Sequence, residues 1–177
     1  MRKIDGRVRV GRRTFLQGSA AAAAAGVTFS ANAAWAAEAK NLTPHQMATL
    51  ALMARDIFPH DRLADVYYVR AVTPYDAKAG SDAAFLDMVA FGIARADQDA
   101  KDRYKAAYVD VPWEEQRVVV LQGMQDTPFF VKVRGDLIVS LYNQKDVWAK
   151  FGYEGSSAEH GGYIHRGFND IDWLPSV

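Results

Sequence analysis

The stretch "FLDMVAFGIARADQDAKDRYKAAY", Phe85 to Tyr108, decides the fold. Phe85, Met88, Val89, Gly92, Ile93 and Ala96 recur at three- and four-residue intervals, while Asp87, Arg95, Asp99 and Asp102 fall mostly off that stripe. A helix turns once every 3.6 residues, so this spacing gathers the apolar groups on one face and leaves the charges to water. The pattern predicts a long amphipathic helix whose apolar face packs in a core. It begins after the punctuation of Gly80-Ser81 and extends as far as Tyr108.

Working outward, the neighbouring segments carry helix signals as well. Thr43-Pro44-His45-Gln46 reads as a helix start, with Thr43 as N-cap, Pro44 in the first turn and Gln46 placed for a capping box. Leu50, Met53, Ala54 and Ile57 follow at helical spacing, and Phe58-Pro59 closes the segment. Asp61 to Val72 predicts a second helix despite its β-forming Tyr67, Tyr68, Val69 and Val72, with Asp61 as its cap. Val118 to Leu121 reads equally as a short strand, but Pro112 ahead of it and Glu114 and Glu115 at its start favour helix, because carboxylates there complement the dipole. Thr127-Pro128 repeats the cap-then-proline signal, and Phe130, Val133, Leu137, Ile138 and Leu141 carry that helix on. No Asn-Gly or Asp-Gly hairpin turn separates strand-like runs after the N-terminal segment. The expected fold class is all-α, a small bundle of about five helices over residues 37–150.

After Trp148 the character changes. "FGYEGSSAEHGGYIHRGFNDIDWLPSV" holds Gly152, Gly155, Gly161, Gly162 and Gly167 among Phe151, Tyr153, Tyr163, Phe168 and Trp173. Glycine at this density opposes helix and strand alike, whereas large rings need a surface to cover them. Residues 151–177 are therefore expected to be a Gly/aromatic-rich irregular C-terminal tail that packs on its own bundle or on another protein.

The N-terminus has the three parts of an export signal in order: a basic stretch, a weakly apolar run and a small-residue cleavage pattern. Arg12 and Arg13 stand together, followed by Thr14 and the apolar pair Phe15 and Leu16, which fits a twin-arginine signal. The run from Ser19 to Ala33 is alanine-rich and too weakly hydrophobic for a comfortable permanent span. Ala34-Trp35-Ala36 fits a small-x-small site, so residues 1–36 are expected to be removed with Ala37 as the new N-terminus; a cut after Ala33 is the competitor. Twin-arginine export carries folded cargo, which raises the question of what is loaded before export.

Composition narrows the answer. Of 21 basic and 21 acidic residues, 15 and 20 follow residue 36, so the remaining domain of about 140 residues is acidic and has no footprint for nucleic acid. The chain has no cysteine, which excludes disulfides, thiolate nucleophiles and thiolate-held iron–sulfur clusters in this chain. His160 and His165 lie near Glu159, Asp170 and Asp172, but at no spacing that fixes a metal, so no metal site is expected. His60-Asp61 could be a base and its orienting carboxylate, although capping by Asp61 is the simpler role. Ser156 and Ser157 lack a nucleophile elbow, and Gly161-Gly162 lacks the strand-then-helix setting of a phosphate loop. No catalytic or cofactor-binding residues emerge. A free-standing periplasmic helical enzyme or ligand-binding protein with an unrecognised site is the competing expectation.

Trp148, Gly152-Tyr153, Gly161-Gly162-Tyr163 and Trp173-Leu174-Pro175 together resemble the C-terminal end of the gluconate 2-dehydrogenase subunit 3 family. These are the small subunits of membrane-associated FAD-dependent sugar and alcohol dehydrogenases. "DIFPHD", Asp56 to Asp61, behind a twin-arginine signal, is similar to the front of the same family. The resemblance covers Leu42 to Pro175, with its specificity concentrated in the tail. It implies a non-catalytic subunit in a periplasmic complex at the outer face of the inner membrane. The large partner would bind FAD and oxidise a sugar, polyol or gluconate, and a membrane-bound multihaem cytochrome c subunit would relay electrons, with haem c or an iron–sulfur cluster in partner subunits. The small subunit would assist folding of the flavoprotein and carry it to the twin-arginine translocase. On that reading Trp148, Gly152, Tyr153, Gly155, Gly161, Gly162, Tyr163, Phe168, Trp173, Leu174 and Pro175 form the partner-binding set.

Overall fold

The computed structural model describes residues 35–166 and Phe168, and these are helical apart from short connections and the tail. The α-helices are α1 (Pro44–Ile57), α2 (Asp65–Val72), α3 (Pro74–Ser81), α4 (Ala83–Tyr104), α5 (Glu114–Gln122), α6 (Pro128–Tyr142) and α7 (Lys145–Phe151). No strand is present among the described residues. The fold is all-α. No described helix is long and apolar enough to cross a membrane.

α1 is the hub. It touches α2, α4, α5 and α6, and an uninterrupted run from Met47 to Ala54 is buried. A helix apolar on every side is one that must be covered on every side. Its start is fixed by the expected capping box: the Thr43 hydroxyl accepts from the Gln46 amide, and the Gln46 side chain accepts from the Thr43 amide. α4 lies across it, with Phe85, Val89, Gly92, Ile93 and Ala96 buried as their spacing requires. Asp82 caps α4 by accepting from the Phe85 amide at 3.0 Å.

Two boundaries differ from the sequence expectation, each for a tertiary reason. α4 stops at Tyr104, and Lys105 takes a left-handed conformation with φ of 62°. The chain then turns back so that the Tyr108 amide donates to Asp97 and the Tyr108 ring enters the core. α2 begins at Asp65 behind Ala64; Asp61 lies in an exposed turn and caps nothing. Buried Leu63, whose amide donates to the His60 carbonyl, holds that turn. The punctuation expected at Gly80-Ser81 is present, since α3 ends at Ser81 and α4 begins at Ala83, and the Asn41 side chain occupies the space a Cβ at Gly80 would fill. Pro74 marks the start of α3, and the Thr73 hydroxyl before it caps nothing but donates to the Val69 carbonyl.

Candidate functional site

One polar cluster is fully internal. Asp56, on the last turn of α1, accepts from Arg117 Nε at 2.7 Å, Arg117 Nη2 at 2.8 Å and the Tyr108 hydroxyl at 2.7 Å. Arg117 also donates to the Val111 carbonyl at 2.8 Å. Burial and the adjacent Asp56 carboxylate push the Tyr108 phenol well above its ordinary pKa. Burial alone would make Arg117 easier to deprotonate, but its bonds to Asp56 and that negative charge outweigh this and raise its pKa. The bidentate pair and the phenol give the carboxylate three donors, two on one oxygen and one on the other, so both oxygens are engaged. A groove of about 440 Å³ opens beside it, between Val118 and Gln122 of α5, Asp126, and Phe130 and Arg134 of α6. The cluster escapes sequence reasoning because its members lie 52 and 61 residues from Asp56.

His60 is drawn away from Asp61. Its Nε2 lies 2.7 Å from the Tyr142 hydroxyl, and its ring meets those of Tyr142 and Phe151 edge-on. Burial raises the Tyr142 pKa. The Tyr68 hydroxyl closes the same corner, donating to the Phe58 carbonyl at 2.7 Å and accepting from the His60 amide at 3.2 Å. "DIFPHD" is thus a structural corner, with Asp56 inside the core and His60 under the root of the tail.

The tail is rooted through α7. Val147 is buried, and Trp148 Nε1 donates to the Tyr142 carbonyl at 2.6 Å while its ring meets Tyr153 edge-on at 5.3 Å. Gly152 ends α7 with φ of 72°, and Gly155 has φ of 110° with its Cα edge against the Trp148 ring. Side chains rarely adopt such angles, so glycine at these two places lets the chain reverse over the indole. Gly161 and Gly162 also have positive φ. Beyond the reversal the rings point outward: Tyr163 is exposed under the Arg166 guanidinium, 5.1 Å away, and Phe168 is 78% exposed. Gly152, Tyr153, Glu154, Gly155, Tyr163 and Arg166 border a shallow hollow of about 230 Å³. His160 Nε2 lies 3.0 Å from the Glu154 carbonyl, and His165 is exposed. Trp148, Tyr153 and Gly155 therefore form one contact group, and Tyr163 joins Tyr153 and Gly155 around the hollow.

Trp173, Leu174 and Pro175 lie outside the described residues, as do Asp170 and Asp172, the export-signal residues Arg12, Arg13, Phe15 and Leu16, and Ala34 of the cleavage pattern. Ala36 is 0% exposed, inside a single 3₁₀ turn from Ala36 to Glu38, with Trp35 packed against the core and Ala37 exposed. Just downstream, Asp76 accepts the backbone amides of Lys40, Asn41 and Leu42. Desolvation raises its pKa, but the three amides together outweigh this and hold its carboxyl below the usual range. No family model, curated protein or solved structure matches this chain.

Proposed function

We propose that this chain is the non-catalytic small subunit of an exported, membrane-associated FAD-dependent sugar, polyol or gluconate dehydrogenase. It assists folding of the large flavoprotein and carries it through the twin-arginine pathway to the periplasm. A membrane-bound multihaem cytochrome c subunit completes the complex as electron acceptor. The flavin, and any haem c or iron–sulfur cluster, belongs to those partners, and none of this chain's residues is asked to hold one.

The tail carries this reading. Tyr153, Tyr163, Ile164 and Phe168 are all exposed, although the bundle beneath is already closed over its own core. Covering a large ring fully contributes about 1.5–3 kcal/mol, so these side chains suit a surface that another protein completes. The glycines add close backbone approach to that surface.

Export gives the test. Arg12→Lys with Arg13→Lys should leave both this chain and the flavoprotein in the cytoplasm, as read by fractionation and flavin-linked dye reduction. Normal arrival of the flavoprotein in the periplasm would defeat the escort role.

A further inference from the structure

α6 is apolar on two sides. Phe129, Val133, Leu137 and Leu141 are buried in the bundle, as a core helix requires. On the opposite side, Val131, Gly135, Ile138 and Tyr142 follow one another at intervals of four, three and four residues. Val131 is 59% exposed and Ile138 is 50% exposed, with Val139 exposed beside them and Tyr142 half-buried. A helix with apolar residues on two opposite faces is suited to a packed neighbour on each, and this spacing is that of a helix–helix seam.

Gly135 sharpens the point. A Cβ placed there would meet nothing within 4 Å among the described residues, so packing among them gives no reason for glycine. In a helix interior glycine is the worst residue after proline, and a solvent-facing one is expected to be replaced unless something must come close. The gap between Val131 and Ile138 is shaped to take a bulky side chain from a facing helix, knob into hole. Arg134 flanks the gap and has no ion pair among the described residues, whereas Lys132 and Asp136 already pair with each other.

We infer that this strip seats an amphipathic helix of the large flavoprotein subunit, with a large apolar residue over Gly135 and a carboxylate beside Arg134. The inference rests on the proposed function and adds a second contact to the tail. The two contacts are continuous: Tyr142 at the end of the strip is 6.0 Å, ring to ring, from Phe151, the first residue of the tail and itself exposed. A second copy of this chain is the poorer occupant. Asp136, the one acidic residue of α6, is engaged by Lys132 and by the Tyr75 hydroxyl, so a copy would bring no free carboxylate from its own α6 to Arg134. A strip of five residues is also far short of the roughly 800 Å² per partner of a stable dimer, but suits one part of a larger interface.

A photo-crosslinking residue at position 138 tests this in the full chain, co-expressed with its candidate flavoprotein. Position 153 in the tail and exposed Lys101 on α4 serve as comparison sites. Position 138 should crosslink to a helical peptide of the flavoprotein, and position 101 should not. Crosslinks from 153 but none from 138 would overturn the seam while leaving the proposed function standing. Crosslinks from 138 to another copy of this chain would overturn the seam, and absence of crosslinks from both 138 and 153 would overturn seam and function together. Gly135→Leu gives an independent reading, because it should raise the melting temperature of the chain yet lower retention of the flavoprotein at least about tenfold. Full retention by that variant would also overturn the seam.

Discussion

The Asp56–Tyr108–Arg117 cluster and the tail beyond Phe151 treat their polar and aromatic groups in opposite ways. In the cluster every carboxylate oxygen has a donor and the phenol ring is covered on all sides by this chain. In the tail the rings at 153, 163 and 168 stay exposed, and Gly152, Gly155, Gly161 and Gly162 have positive φ. One region has its partners within 61 residues of sequence, and the other leaves its rings uncovered by the described residues. Substitution in the first should therefore register as lost stability, and in the second as lost assembly.

The largest effect is expected at Arg117. Arg117→Met leaves the Asp56 carboxylate buried with only the Tyr108 hydroxyl, and an uncompensated buried charge costs about 3–5 kcal/mol. Domains of this size have about 5–15 kcal/mol in total, so the urea midpoint should fall sharply. Pairing it with both Asp56→Leu and Tyr108→Phe should recover most of the loss, since a buried ion pair is replaceable by apolar groups and the phenol, which donates to Asp56, is then not left without an acceptor. A single change costing under about 1 kcal/mol would mean that water reaches the cluster and that it is not the internal region described.

Next comes the packing of α4 on α6. A Cβ at Gly92 would lie 2.1 Å from Cγ of Phe129, which is itself buried. Gly92→Ala must push the helices apart or drive Phe129 off its rotamer, at about 1–3 kcal/mol in chemical denaturation. Its contrast with position 135 sharpens the comparison, because one α6-associated glycine is filled by this chain's own ring and the other faces open space.

The cluster also sets an alkaline limit. Tyr108 and Tyr75 both have raised pKa values, chiefly from burial, with Asp56 and Asp136 respectively adding to it. A phenol whose folded pKa exceeds its unfolded value near 10 contributes stability in full below that value, and loses it as pH rises toward the folded value. Stability should be flat through neutral pH and decline above about pH 10. Tyr108→Phe should flatten the decline, and an unchanged profile in that variant would show that the phenol does not govern it.

The fold is legible wherever local signals agree. Thr43 with Gln46 and Thr127 before Pro128 start helices where their chemistry predicts, and the Phe85 to Ala96 stripe is buried as its period requires. Tyr108 departs from its expected place at the end of α4 because periodicity cannot register a hydrogen bond to Asp56, 52 residues away. Ile138 shares the helical pattern of the core residues Val133 and Leu137, yet it faces outward, since an apolar residue counts alike whether its face meets this chain or another. The polar core cluster is illegible for the same reason: its residues carry no motif, only a meeting place. Of the tail, the composition is legible and the rooting through Trp148 is not, because an indole donating to the Tyr142 carbonyl leaves no spacing signature.

Truncation after Lys150 tests the other side of the comparison, and its effect on stability should be the smallest. Past Phe151, Gly155 is the one buried residue among those described. Among the described residues, the rings that tie the removed segment to the bundle are Phe151, against His60 and Tyr142, and Tyr153, against Trp148. Aromatic pairs contribute about 0.5–1.5 kcal/mol each, and half-exposed ones sit at the low end. The truncated chain should therefore melt only a few degrees below the full chain by circular dichroism, while co-purification of the flavoprotein is abolished. If melting instead collapses, the tail belongs to the core and the two regions are not opposites. If the shortened chain melts normally and still holds the flavoprotein, the tail's rings are not the anchor, and the apolar strip of α6 becomes the first place to look for it.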